Sequence, residues 1–163
     1  MIVQVAYHQY CLRDTAMLGD LPDEVFTGGN GLISVRPGIA VVHAGTHTGP
    51  VRVTVQPRTS PAPLADLGQW EEVVEASFAT QTGQVLVEEW GGPARDDLGN
   101  LVAAGPGSYR LRVHARGRDQ AHALVVAPEQ PLEEHLIITW PAPAADEAIL
   151  KRTDQYGALQ RGA

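Results

Sequence analysis

The chain holds one cysteine, Cys11, and one lysine, Lys151, in 163 residues. A single thiol excludes an intrachain disulfide framework and any metal site built from several cysteines. No apolar run approaches the roughly 18 residues that a bilayer-spanning helix needs, so no membrane partner is expected. The opening stretch "MIVQVAYHQY" lacks a basic leader and a small-residue cleavage site, which reads as no signal peptide and a cytoplasmic location. Aromatic residues make up 6% of the sequence, and nothing recurs at a fixed period, which excludes solenoids and propellers.

Motifs for common chemistries are missing too. The glycines of "GGNGLIS" are followed neither by Gly-Lys-Ser/Thr nor by a helix, so they do not cradle phosphate and are read as turn formers. No Gly-x-Ser-x-Gly elbow is present. Adjacent acids such as Glu88-Glu89 would point to opposite faces of a strand and make poor acid–base partners. The net charge of -7, from 12 Lys+Arg against 19 Asp+Glu, argues against nucleic acid as a partner. No cofactor is expected, and the chain reads as a non-enzyme.

Period-two alternation dominates what is there. A first strand is expected from Ile2 to about Leu12, with Val3, Val5 and Tyr7 on one face. Asp20, Pro22 and Gly28 then frame a short helical turn near residues 21–27. "GLISVRPGIAVVHAG" supplies two short strands broken at Pro37-Gly38, and "THTG" turns the chain into "PVRVTVQ" as the best hairpin candidate. A second hairpin joins "WEEVVEASFAT" to "QVLVEEW" through "QTG". "SYRLRVHARGRD" follows, then a short strand near Leu124–Val126, then "EEHLIITWPAP". The expectation is an all-β antiparallel β-sandwich of about eight short strands, one domain over residues 1–143. Residues 144–163 would be an extension, docked or frayed. "AGPGSY" resembles the entry to a tyrosine corner, in which the Tyr hydroxyl bonds back to upstream backbone.

Two candidate sites follow. On "SYRLRVHARGRD", Tyr109, Leu111, Val113 and Ala115 form a core face, while Arg110, Arg112, His114 and Arg116 line up opposite. That stripe either neutralises an acidic neighbour, with Glu71 and Glu75 as the expected ladder, or meets an anionic partner. Tyr7, His8 and Trp90 join the stripe as candidate partner-binding residues. The second is an alternative reading as a metal-dependent hydrolase or ligand-binding sandwich, in which His43 and His47 gather with His8 or His135. Against it, the pair sits in a glycine-flanked turn rather than on a helix, where solvated histidines are the ordinary outcome. Cys11 is expected as a small core residue.

Several short motifs, in order, resemble the competence protein J family, inhibitors of a bacterial DNA-entry nuclease. They are Tyr7, His8, Gln9 and Tyr10 in "AYHQY", then Asp23, Glu24, Gly31, Ile33 and Ser34 in "PDEVFTGGNGLIS", then Gly107, Tyr109 and Leu111 in "PGSYRLRV". The later "GPGSYRLRVHARGRD" with "EEHLIITWPAP" looks more like uncharacterised proteins of high-GC bacteria. The resemblance implies a β-sandwich that binds another protein, a basic nuclease or toxin, as an inhibitor or immunity partner. The acidic charge agrees, because nucleases that grip DNA present basic surfaces.

Overall fold

The computed structural model describes residues 1–17, 29–64 and 66–162. The helical turn expected near residues 21–27 lies outside the described residues. The strands are β1 (Ile2–Val5), β2 (Gln9–Asp14), β3 (Ile33–Arg36), β4 (Ile39–His43), β5 (Gly49–Pro57), β6 (Glu72–Thr80), β7 (Val85–Glu88), β8 (Gly107–Arg116), β9 (Glu134–Pro141) and β10 (Ala148–Arg152). Two short α-helices, α1 (Arg118–His122) and α2 (Gln155–Gln160), join them among the described residues, and neither is long enough to cross a membrane.

The strands form two sheets, β1-β5-β9-β8-β6-β10 and β3-β4-β2-β7. All pairings are antiparallel except β5 with β9. Alternation along each strand sends one set of side chains inward. Val51, Val74, Phe78, Leu111, Val113 and Ile137 of the larger sheet thus meet Tyr10, Leu12, Val42, Val85 and Val87 of the smaller one. This is the all-β fold the alternation foretold, with ten strands among the described residues where about eight were expected.

Both expected hairpins are instead crossings between sheets. β4 lies in the small sheet and β5 in the large one, and β6 and β7 divide the same way. Alternation marks which face of a strand is apolar but not which strand lies beside it, so a corner and a hairpin read alike. The first expected strand is also broken, because Tyr7 and His8 form a two-residue turn between β1 and β2. Leu124–Val126, apolar and with two β-branched valines, form no strand and are exposed, since the chain leaving α1 brings no ladder neighbour to them among the described residues. The tyrosine corner is present: Tyr109 donates to the Gly105 carbonyl at 2.6 Å and accepts from the Ala104 N–H at 3.0 Å.

Residues 144–162 are integral to the large sheet's edge. β10 pairs with β6, and α2 seats Tyr156 against the body. At the opposite edge, the outward Gln4 N–H donates to Glu89 at 2.9 Å and the outward Ile2 carbonyl accepts from Arg95 at 2.6 Å. Those side chains take the places of an adjoining strand's backbone groups, which closes the edge to strand addition. Asp14, at the end of β2, ties the two sheets together by accepting from Thr80, Thr82 and backbone amides of the β6–β7 corner. Burial pushes its carboxyl up, but the hydrogen bonds from Thr80, Ala16 and Thr82 outweigh that and hold it well below the usual carboxylate range.

Candidate functional site

The arginine stripe is internal. Glu75 sits directly across from Arg112 in the β6–β8 register and accepts from Arg112 Nε at 2.7 Å and Arg110 Nε at 3.1 Å. Arg110 also donates to the Ala145 and Asp146 carbonyls of the segment before β10. Arg112 donates to the carbonyls of Ala62 and Pro63, and its guanidinium lies 4.9 Å from the Trp140 ring centroid. His114 packs beside Trp70, with burial pushing its imidazole pKa down. Arg110, Arg112 and His114 are all buried beneath the loops that fold over this face. Arg116, partly exposed, pairs with Glu134 at 2.6 Å and covers Trp70. Glu71 leaves the expected ladder and accepts the Gly117 N–H instead.

Tyr7, His8 and His47 gather at one end of the sandwich. Tyr7 and His8 have φ of 53° and 63°, and Gln9 N–H closes the turn on the Ala6 carbonyl at 3.2 Å. A tight turn with two left-handed residues favours Asn-Gly, because a Cβ there meets the backbone. Placing bulky rings at both positions costs of order 1–3 kcal/mol each, and the turn persists only if the surroundings hold it. They do. His8 N–H donates to the His47 carbonyl at 3.0 Å, and the His8 carbonyl accepts from Ala44 N–H at 2.8 Å. His8 Nδ1 lies 3.1 Å and 3.0 Å from the carbonyl oxygens of Ala44 and Gly45. Carbonyls only accept, so Nδ1 carries the hydrogen, and neutral His8 presents its Nε2 lone pair.

Three further rings surround that imidazole. His47 stands edge-on at 4.7 Å between centroids, His122 lies at 5.5 Å and Tyr156 stacks at 5.6 Å. Tyr7 contacts His47 from outside and is 68% exposed. Burial, then the neighbouring His47 and His122, push the His8 pKa down against the hydrogen bonds to Ala44 and Gly45. The imidazole is therefore neutral near neutral pH.

Fully buried charges brace this end. Glu133 accepts from the Gly45 and Thr46 N–H groups, from the Thr46 hydroxyl and from His135 Nε2, which fixes the turn that carries His47. His135 Nδ1 in turn meets the Tyr10 hydroxyl at 2.9 Å. Arg118 makes two bonds to Asp154, at 2.6 Å and 2.8 Å, and reaches the Gly31 and His43 carbonyls. Its guanidinium also lies under Tyr156, so the ring that stacks on His8 rests on a buried ion pair. A Cβ on Gly45 would overlap the Arg118 backbone carbonyl, which is why glycine stands there.

The metal-binding grouping of His8, His43 and His47 is split. His43 is buried and meets Ser34 Oγ at 2.9 Å, and its pKa falls to about 4 through burial and the nearby Arg118. Among the described residues no three His, Cys, Asp or Glu side chains are arranged to hold a metal. Trp90 is half-buried on the outer face of the small sheet and packs, as Met17 does, against the cluster of Cys11, Ile39 and Val41. Sequence reasoning missed His122, Tyr156 and the exposed Leu124–Val126. The usable signal was "AHALVVA", an apolar stretch whose alternation fails and which follows a helix-capping glycine.

No family model matches the chain, and no curated protein matches its sequence. Two solved structures share the fold. One is ComJ, inhibitor of the DNA degrading activity of NucA, from Bacillus subtilis, with a TM-score of 0.54, 13% identity, and coverage of 87% of this chain and 94% of that one. The other is described as crocagin biosynthetic gene J, with a TM-score of 0.52, 16% identity, and coverage of 88% and 96%. Identities this low carry the architecture and not the activity.

Proposed function

We propose that this chain is a non-enzymatic β-sandwich that binds another protein, in the manner of an inhibitor or immunity partner of a basic nuclease or toxin. The observation that carries the reading is the fate of the cations. Arg110, Arg112, Arg118 and Arg161 are taken up inside the fold by Glu75, Asp154 and Glu72, which leaves Arg36, Arg52, Arg58 and Arg152 exposed beside the more numerous exposed acids Asp66, Asp96, Asp97, Glu129, Asp146 and Glu147. With a net charge of -7 on the chain, such a surface attracts a cationic partner and repels nucleic acid. The likeness in fold to an inhibitor of a DNA-degrading protein supports the same class. Inhibition would work by occlusion. Tyr7 and His8 are the residues from the sequence reading that this proposal assigns to the partner.

Purification of the tagged chain from its native host at low salt, followed by intact-complex mass spectrometry, tests this. A stoichiometric basic protein that is released as salt rises is the expected result. Recovery of the chain alone at every salt concentration would overturn the proposal.

A further inference from the structure

We propose that the Tyr7–His8 turn, His47, His122 and the Leu124–Val126 loop form one docking surface for a protein segment that sets an apolar side chain beside a Lys or Arg side chain. This rests on the protein-binding reading above and adds to it a place and a chemistry.

Continuity comes first. The loop leaves α1 at His122, whose ring lies 5.5 Å from that of His8 and 4.8 Å from that of Tyr156. It returns at Ala127, whose methyl packs where a Cβ on Gly49 would sit, two residues beyond His47. Both ends of the loop are thus pinned beside the imidazoles. Between them Val125 is 100% exposed and Val126 79%. Tyr7 completes an apolar and aromatic rim around His8 and His47. Rims of this composition mark interaction surfaces when a rigid scaffold presents them.

Pre-organisation comes second. The strained Tyr7–His8 backbone persists because His47, Ala44 and Gly45 hold it, and Glu133 and the Arg118–Asp154 pair hold those in turn. Strain retained at a surface turn that displays two rings points to a role for the display.

Polarity selects the occupant. His8 Nδ1 donates to two carbonyls, so Nε2 is an acceptor with no protein partner among the described residues. The titratable groups facing it are His47 from the β4–β5 turn, His122 from α1 and Tyr156 from α2. Behind them Asp119 is taken up by the Gln155 and Tyr156 N–H groups, Arg118 by Asp154, and Glu133 by His135. A lone pair within an acidic chain accepts from an ammonium or guanidinium and does not favour a carboxylate. With no three-ligand grouping for a metal among the described residues, a cationic side chain next to an apolar one is the fitting occupant.

The probe is a short alternating Leu-Lys peptide, titrated at pH 7.5 into the full-length, isotope-labelled chain. Leu-Glu and Gly-Lys peptides of equal length serve as controls. The Leu-Lys peptide should shift the His8, His47 and His122 ring signals and the Val125 and Val126 methyls, with both controls at least about tenfold weaker. Lowering the pH well below the ordinary imidazole range protonates His8, whose pKa burial pushes down, and should weaken binding by a similar factor. Val125→Ser/Val126→Ser, at exposed positions, should abolish binding. His8→Asn, suited to the left-handed turn, should keep the apolar contact and lose the preference for Lys over Glu. Shifts elsewhere, equal binding of the Leu-Glu peptide, or self-association through these residues would overturn the assignment. If the peptide fails while a native partner still co-purifies, the surface is wrong and the protein-binding reading stands. If no partner co-purifies, the reading fails whatever the peptide does.

Discussion

Replacing Arg118 by Met removes the guanidinium that joins the C-terminal segment to the body, while leaving a side chain of similar reach. Arg118 and Asp154 are both fully buried, and two bonds of 2.6 Å and 2.8 Å link them. After the change Asp154 keeps only the Gly157 N–H, at 2.7 Å, and the Gly31 and His43 carbonyls lose their donor. Breaking a buried pair from one side costs about 3–5 kcal/mol, because the remaining charge has no compensation. Taking about 2 kcal/mol per molar as the urea dependence, the midpoint should fall by roughly 2 M. The double variant Arg118→Met/Asp154→Leu removes both charges and should recover part of that loss. It should stay below wild type by about 1 kcal/mol, since Asp154 also caps α2. Urea unfolding followed by far-ultraviolet dichroism reads wild type, Arg118→Met, Asp154→Leu and the double variant. A cost below about 1 kcal/mol for Arg118→Met, or a double variant that equals the sum of the two singles, would refute the reasoning.

The stripe of β8 gives a parallel expectation: Arg112→Ala should lower stability by about 2–4 kcal/mol, and a cycle with Glu75→Ala should show coupling of about 1 kcal/mol or more, whereas additive singles would place the pair outside the fold's energetics. Cys11 is buried, with its thiol pushed up to about 12, mainly by burial, so iodoacetamide at pH 8 should leave it intact until the protein unfolds. Glu89→Ala/Arg95→Ala uncovers the free edge of β1 and should produce concentration-dependent self-association in sedimentation, while a persistent monomer would contradict the guard role. On acidification stability should fall in two stages. His43, His8 and His114 have lowered pKa values, so their contribution is lost from about pH 6.5 downward. Asp14, whose pKa is depressed, contributes above the unfolded carboxylate range and loses that only as pH falls below about 4. His43→Gln should reduce the first stage by about one proton, and an unchanged slope would sink the assignment.

Much of the fold could be read from alternation because inward-facing residues must repeat every second position. Tyr109, Leu111, Val113 and Ala115 are the core face of β8 for that reason, and Glu75 faces Arg112 as an outward charge ladder would. Connectivity could not be read that way. "HAGTHTG" and "TQTG" mark turns, but whether a turn returns the chain to its own sheet depends on contacts distant in sequence. Nor could the turn at Tyr7–His8, since bulky residues are a poor fit to a left-handed turn and only the tertiary clamp from Ala44, Gly45 and His47 permits it. His122 and Tyr156 reach His8 through α1 and α2, which no local pattern links to β1. The arginine stripe was visible as a stripe, and its burial came from loops at Ala62–Pro63 and Ala145–Asp146 that sequence spacing does not place.

The most direct test compares wild type and Tyr7→Ala/Val125→Ser/Val126→Ser side by side as bait in the native host at low salt, with intact-complex mass spectrometry as the readout. All three side chains project from the surface, so the variant should unfold as wild type does. The account predicts a stoichiometric basic protein with wild type, released by salt, and a loss of that complex with the variant. A partner retained equally by both proteins, or none with either, would contradict it.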